Sequence, residues 1–383
     1  AFATISITDL IQTYNGLPCP VSISTSPEGL SVDVTYNGLT TVPINAGSYT
    51  VVATINDPNY QGTASESLTI NKATPIVNAW PVASAISYGQ ALSASVLSGG
   101  EASVAGTFSF TNPTFTPDAG IYSASVNFIP TDAGNYNSVI GQADVVVNKA
   151  IATVSINNTS QVYNGSPRPV SITTNPAGLT VAVTYNGSSV EPVNAGSYDV
   201  EAIINETNYQ GNASATLTIS RLTPTISSWP VASAITYGQA LSLSVLSGGT
   251  ASVAGSFAFT NPAVVPPVGT YSANVTFSPA DAVNYNSVSG VVDVTVNKAN
   301  ATVTITNTTQ TYNGLPRPVT ITTNPEGLLV DVTYNGSATA PVNAGSYSVV
   351  ATINEANYNG SASSTLNVFK ATPTVSVWPS ASS

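Results

Sequence analysis

The sequence predicts an all-β chain, built as a tandem array of small β-sandwich modules of two alternating types. Three observations predict it. The stretch "NAGSYTVVATINDPNY" (45–60) returns as "NAGSYDVEAIINETNY" at 194 and as "NAGSYSVVATINEANY" at 343, each time 149 residues on, with no insertion or deletion. Apolar residues recur at every second position within short runs, the period of a strand with one buried face. Turn signals punctuate those runs, and no segment sustains the 3.6-residue period of an amphipathic helix.

The repeat defines the modules. A short type covers residues 1–73, 151–222 and 300–371, and a long type covers 74–150 and 223–299. A third long copy begins at 372, and residues 372–383 read either as the first strand of that further module or as a strand added to a neighbour. Basic residues mark the seams: Lys72, Lys149, Arg221, Lys298 and Lys370, five of the seven in the chain.

Within a module, "VDVTYNG" (32–38) and "SYTVVATIN" (48–56) alternate as strands should. In the second, Tyr49, Val51, Ala53 and Ile55 share one face, and Ser48, Thr50 and Val52 share the other. "YNG" at 14–16 and 36–38, "NAG" at 45–47 and "SGG" at 98–100 are turns. Six to eight strands per module make a compact sandwich. The five extra residues of the long type are expected to enlarge a hairpin around "LSGGEASVAG" (97–106).

"N-A-G-S-Y" before an alternating strand matches a tyrosine corner, in which a Tyr near the start of a late strand folds its hydroxyl back onto the chain. Tyr49, Tyr122, Tyr198, Tyr271 and Tyr347 are the expected buried corner residues. Each module also carries an Asn-Tyr pair later on, as at Asn59–Tyr60 and Asn135–Tyr136, which points to duplication of one ancestral sandwich.

"YGQALSASVLSGGEASVAGTFSFTNP" (88–113) and "QTYNGLPRPVTITTNPEGLLVDVTYNGSATAPVNAGSYSVVATINEANYNG" (310–360) resemble the tandem MBG-type Ig-like repeats of large bacterial surface proteins and adhesins. The resemblance spans nearly the whole chain. It implies Ig-like β-sandwiches in an extracellular, cell-surface or secreted stalk, fibre or filament, and it brings no catalytic residues. The first turn of that family is often Tyr-Asp-Gly, whereas Tyr14-Asn15-Gly16 stands here; both suit the same turn.

Composition narrows the chemistry. Only 7% of residues are charged and the formal charge is −11 with no His, so nothing could neutralise a row of phosphates, and nucleic acid is not an expected partner. Triads and metal sites that need His are absent. No apolar run is long enough to cross a bilayer, so direct membrane insertion is not expected. Cys19 has no second cysteine to pair with. The first residue is Ala and no signal-peptide pattern precedes it, so the chain reads as a processed protein or a fragment. Of the acids, Asp57/Glu206/Glu355, Asp132/Asp281 and Asp144/Asp293 recur in every copy, each singly and mostly near turns, whereas Glu28 becomes Ala177 and Asp33 becomes Ala182. The recurring acids read as solvated turn acids, with no Asp-x-Asp-x-Asp-Gly loop to support calcium. Lys–Asn isopeptide cross-linking is disfavoured because Arg221 stands at one of the lysine positions; the seam cations are expected to hydrogen-bond carbonyls of the neighbouring module. No enzyme and no cofactor are predicted. The Asn-x-Ser/Thr triplets at Asn157, Asn205, Asn274 and Asn307 are what an Asn- and Thr-rich surface produces by chance.

Trp80, Trp229 and Trp378 open the long modules in a "WP" context. They are candidate core, junction or ligand contacts. If exposed, three at fixed separation would make a multivalent glycan grip. The seams contain no Gly, and Pro75, Pro224 and Pro373 follow them directly, so the joints read as semi-rigid spacers and the array as an extended rod. The functional expectation is a structural stalk or fibre segment for adhesion; the alternatives are a glycan-binding module and a filament subunit assembled through strand addition. Partners are then further modules, other copies of the chain, or surface glycans.

Overall fold

A computed structural model describes residues 1–379. The chain divides into two compact units. The first, residues 1–159, 169–191 and 198–217, contains the first short repeat, the first long repeat and most of the next short one.

Six strands build the first repeat: β1 (Thr4–Thr8), β2 (Ile11–Thr13), β3 (Ser22–Ser26), β4 (Val32–Tyr36), β5 (Gly47–Ile55) and β6 (Thr63–Asn71). One layer is the antiparallel pair β1–β3; the other is a four-stranded sheet in the order β2-β6-β5-β4. β2 runs parallel to β6, while β5 is antiparallel to both β4 and β6. An early strand that crosses to lie parallel to the last one, around an antiparallel hairpin, is an Ig-like arrangement reduced to six strands. The alternation in β5 buries Val51, Ala53 and Ile55 and leaves Ser48 and Thr50 outside. Val51 and Ala53 meet Ile7, Cys19, Leu68 and Ile70 in a core of the repeat's own. Asn37 and Gly38 close a tight turn after β4 with φ of 54° and 84°, and Tyr36 and Leu39 exchange backbone hydrogen bonds across it.

The long repeat adds strands by interruption. β7 (Val77–Ala79), β8 (Val82–Ala83), β9 (Ile86–Ser87), β10 (Leu97–Ser98), β11 (Glu101–Ala102), β12 (Gly106–Phe110), β13 (Gly120–Pro130) and β14 (Val139–Asn148) follow one another, with a single 3-10 turn at Leu92–Ala94. The sheet β12-β13-β14-β9 repeats the order of the first sandwich. The expected hairpin at 97–106 does not form. β10 pairs with β8 and β11 with β7, so "SGG" is a kink within one interrupted strand. The cause is at Gly100, where a Cβ would lie 2.8 Å from the Phe108 ring, so the backbone bends over an aromatic floor. Phe108 in turn packs against Phe128 and Trp80, with centroids 5.0 and 5.8 Å away.

In the following short repeat, Thr153–Asn157 pairs with Ser171–Asn175, and Val181–Tyr185 with Gly196–Ile204, as in the first. The second unit, residues 160–168, 192–197 and 218 onward, holds the rest of that repeat, the second long repeat and the third short repeat. Its long repeat keeps the parallel pairing of Ile235–Thr236 with the last strand Val288–Asn297, and its short repeat keeps that of Thr309–Thr311 with Ser361–Phe369. Each has its own apolar core.

Trp80 lies directly over Gly141, and Trp229 over Gly290: a Cβ there would come within 2.1 and 2.2 Å of the indole Cζ2. Gly141→Ala or Gly290→Ala should therefore destabilise the long repeat concerned by about 1–3 kcal/mol through overpacking. A thermal melt followed by tryptophan fluorescence reads this directly; an unchanged midpoint would mean the indole is free to move away.

Candidate functional site at the repeat joints

The seam residues lead from a last strand straight into the next repeat, and three devices hold the joints: a cation and a tyrosine pair at all four, and an asparagine bridge at the first three. The first is the seam cation. Lys72 Nζ donates to the Ala133 carbonyl at 2.7 Å, Lys149 Nζ to that of Glu206 at 2.6 Å, and Lys298 Nζ to that of Glu355 at 2.7 Å. Arg221 does the same through Nε, donating to the Val283 carbonyl at 3.1 Å. Hydrogen bonding to a carbonyl asks only for a donor, so arginine replaces lysine at this position without loss of the contact.

The second device is the Asn-Tyr pair, whose asparagine reaches back to the turn of the preceding repeat. Asn135 Oδ1 accepts the Ala46 N–H at 2.7 Å, while its Nδ2 donates to Asn45 Oδ1 at 3.1 Å and to Asp132 Oδ2 at 2.8 Å. Asn284 copies this with Ala195 N–H at 2.7 Å, Asn194 Oδ1 at 3.2 Å and Asp281 Oδ2 at 2.8 Å. Both asparagines are buried. Asn208 makes the same reach into the first long repeat, accepting the Ala119 N–H at 2.8 Å and donating to Asp118 Oδ1 at 2.9 Å. At the last joint Pro267 stands where Asp118 does, and the asparagine bridge described at the other three joints does not extend to it.

The third device is a pair of tyrosines meeting edge to face. Tyr14 meets Tyr136 with centroids 5.3 Å apart, Tyr88 meets Tyr209 at 5.4 Å, Tyr163 meets Tyr285 at 5.4 Å and Tyr237 meets Tyr358 at 5.5 Å. Each such pair contributes about 0.5–1.5 kcal/mol beyond area burial. The fifth tyrosine of the first series, Tyr312, is 40% exposed. Around these devices the backbone is continuous: Ala73 bridges Tyr136 in parallel fashion, and Ala150–Ile151 pairs with Tyr209–Gln210.

The recurring acids serve these structures more than they serve solvent. Asp132 and Asp281 hold the joint asparagines, and Asp293 accepts from Ser272 at 2.6 Å. Glu206 Oε1 accepts the Thr180 N–H at 2.8 Å, and that backbone hydrogen bond holds its carboxyl below the usual range. Among the described residues, no three His, Cys, Asp or Glu side chains converge on a metal site, and no helix is long and apolar enough to cross a membrane.

The corner tyrosines Tyr49, Tyr122, Tyr198, Tyr271 and Tyr347 are half-buried. Tyr49 and Tyr347 donate their hydroxyls to the carbonyls of Asn45 and Asn343, four residues upstream, both at 2.9 Å. Tyr122 lies against Phe115. The fully buried tyrosines belong to a different series, Tyr36, Tyr185 and Tyr334, whose hydroxyls accept the N–H of Val21, Val170 and Val319. Trp80 and Trp229 are half-buried and pack on Phe108 and Phe257 of their own repeats, while Trp378 is 79% exposed.

The class is thus a tandem array of reduced Ig-like sandwiches joined by repeated polar and aromatic contacts. The MBG domain model matches residues 3–74, 152–223 and 301–372, together more than half of the chain, and the protein belongs to that family. Among solved structures, the chain is similar to Sidekick-1 immunoglobulin domains 1–5, at 14% identity over 96% of this chain and 99% of that one, with a TM-score of 0.25. It is also similar to Drosophila N-cadherin EC1-4, at 10% identity over 79% and 100%, TM-score 0.25. A third likeness is BT4661, a SusE-like surface-located polysaccharide-binding protein from Bacteroides thetaiotaomicron, at 10% identity over 96% and 72%, TM-score 0.16. No curated protein matches the chain.

Replacing Asn135 by Ala strips the Ala46 N–H of its acceptor and should cost about 1–3 kcal/mol locally. Exchange of the Ala46 amide is expected to accelerate by roughly tenfold to a hundredfold, while amides in β13 and β14 keep their protection. Equal acceleration throughout that repeat would assign Asn135 to the fold and not to the joint.

Proposed function

We propose that the chain is a structural segment of an extracellular or cell-surface protein, a stalk or fibre that holds a binding element away from its anchor. One observation carries this reading: a seam cation and an edge-to-face tyrosine pair recur at four joints, and an asparagine bridge at three of them, so each repeat is seated on the next by side chains and not merely tethered to it. A protein whose repeats were independent binding heads would need only tethers, and Gly/Ser-rich segments supply those more simply. Membership of the MBG family and the Ig-like fold support the same reading. The packing of Trp80 and Trp229 over Gly141 and Gly290 favours a structural use of these indoles over an exposed sugar platform. We read the chain as non-enzymatic, with adhesion as the process it serves.

The test is small-angle scattering from the whole chain. Last strands of 9–10 residues rise about 3.3 Å per residue, so five seated repeats should reach about 170 Å, with a radius of gyration of roughly 50 Å. A globule of this length would have a radius of gyration of about 21 Å, and that value would rule the stalk out. The double variant Asn135→Ala/Asn284→Ala should broaden the distance distribution by loosening two joints.

A further inference from the structure

Each short repeat has a groove on one side, where both of its sheets stop. In the middle short repeat the groove is about 430 Å³ and is bounded by Ile172–Thr174, Ala177, Leu179 and Val181. The equivalent grooves in the first and last short repeats are about 490 and 470 Å³. Ser171–Asn175 pairs with Thr153–Asn157 alone, and Val181–Tyr185 is the terminal strand of the other sheet. Two sheet edges therefore lie side by side around half-buried Ile172, Leu179 and Val181.

Such edges template pairing with another strand unless charge opposes it. In the first and last short repeats charge does oppose it: Glu28 and Glu326 line the groove, and Asp33 and Asp331 are exposed in the terminal strand beside it. The middle repeat has Ala177 and Ala182 at those positions and no charged residue in either edge strand.

We infer that the edge of the middle short repeat is a self-association surface, and that its occupant is the same edge of a second copy of this chain. A two-fold interface sets like against like, so a carboxylate at this margin faces its own copy. Loss of both acids at this one repeat is the change that self-pairing requires; a cationic partner would favour keeping them. The neutral "SITTN" strand offers Thr–Thr and Ile contacts to an antiparallel copy of itself. This goes beyond the stalk reading, because it joins chains side by side.

Sedimentation equilibrium on the whole chain tests it. The unaltered chain is expected to dimerise, and Ala177→Glu/Ala182→Asp to weaken dimerisation by about tenfold or more. Glu and Asp already stand at these positions in the sister repeats, so an unchanged thermal melt is expected to accompany the loss. Conversely, Glu326→Ala/Asp331→Ala should open a second edge and drive association beyond the dimer. Three results would overturn the inference: an unaltered chain that stays monomeric up to its solubility limit, a double variant that associates like the parent, or dimerisation abolished by Trp378→Ser. The last result would assign the occupancy to the exposed Val375–Trp378 segment.

Discussion

The joint asparagine is the contact on which the arrangement of repeats depends. A sandwich of 72–77 residues buries too little surface to order its end loops well. The turn "NAG", which launches the longest hairpin of the short repeat, exposes the Ala46 N–H at its tip. Asn135 of the next repeat accepts that N–H and is itself held by Asp132. A primary amide suits the position because it accepts from one repeat and donates to both at once. Aspartate in its place could not donate, and alanine would leave the turn's donor unpaired.

The two repeat types divide the structural work. The short repeats close their cores with aliphatic residues and a buried tyrosine. The long repeats close theirs with Trp, Phe and Phe stacked over a glycine, which is why their extra residues enter as a kinked strand. Alternation sets an aromatic-braced sandwich next to an aliphatic one, and charge at the edges of the aliphatic ones differs from copy to copy.

Much of this is legible in the residues. Alternation in "SYTVVATIN" assigns the buried face of the last hairpin, and the seam cations mark the joints by spacing alone. The Asn-Tyr pair is visible too, but as a sign of kinship, since nothing in the local pattern says that an amide reaches 89 residues back to a turn. Asp132 and Asp281 look like solvated turn acids because "D-x-x-N" is also an ordinary turn sequence; only the fold shows the asparagine between them and the preceding repeat. The buried role of Tyr36 over Tyr49 is hidden for a related reason. Both tyrosines sit in phase with an apolar face, and the partner of Tyr36 is a backbone N–H on another strand. The "SGG" segment misleads because paired glycines suit a hairpin tip and a kink equally, and the Phe108 ring decides between them.

If the joints are part of the fold, neighbouring repeats must unfold together, as in other nearest-neighbour arrays. Differential scanning calorimetry of the whole chain is the most direct measurement of this. A single repeat of this size would unfold with an enthalpy of about 50 kcal/mol. Coupled repeats predict a van't Hoff enthalpy well above that figure; a value of about 50 kcal/mol, as for independent domains on a string, would contradict the account.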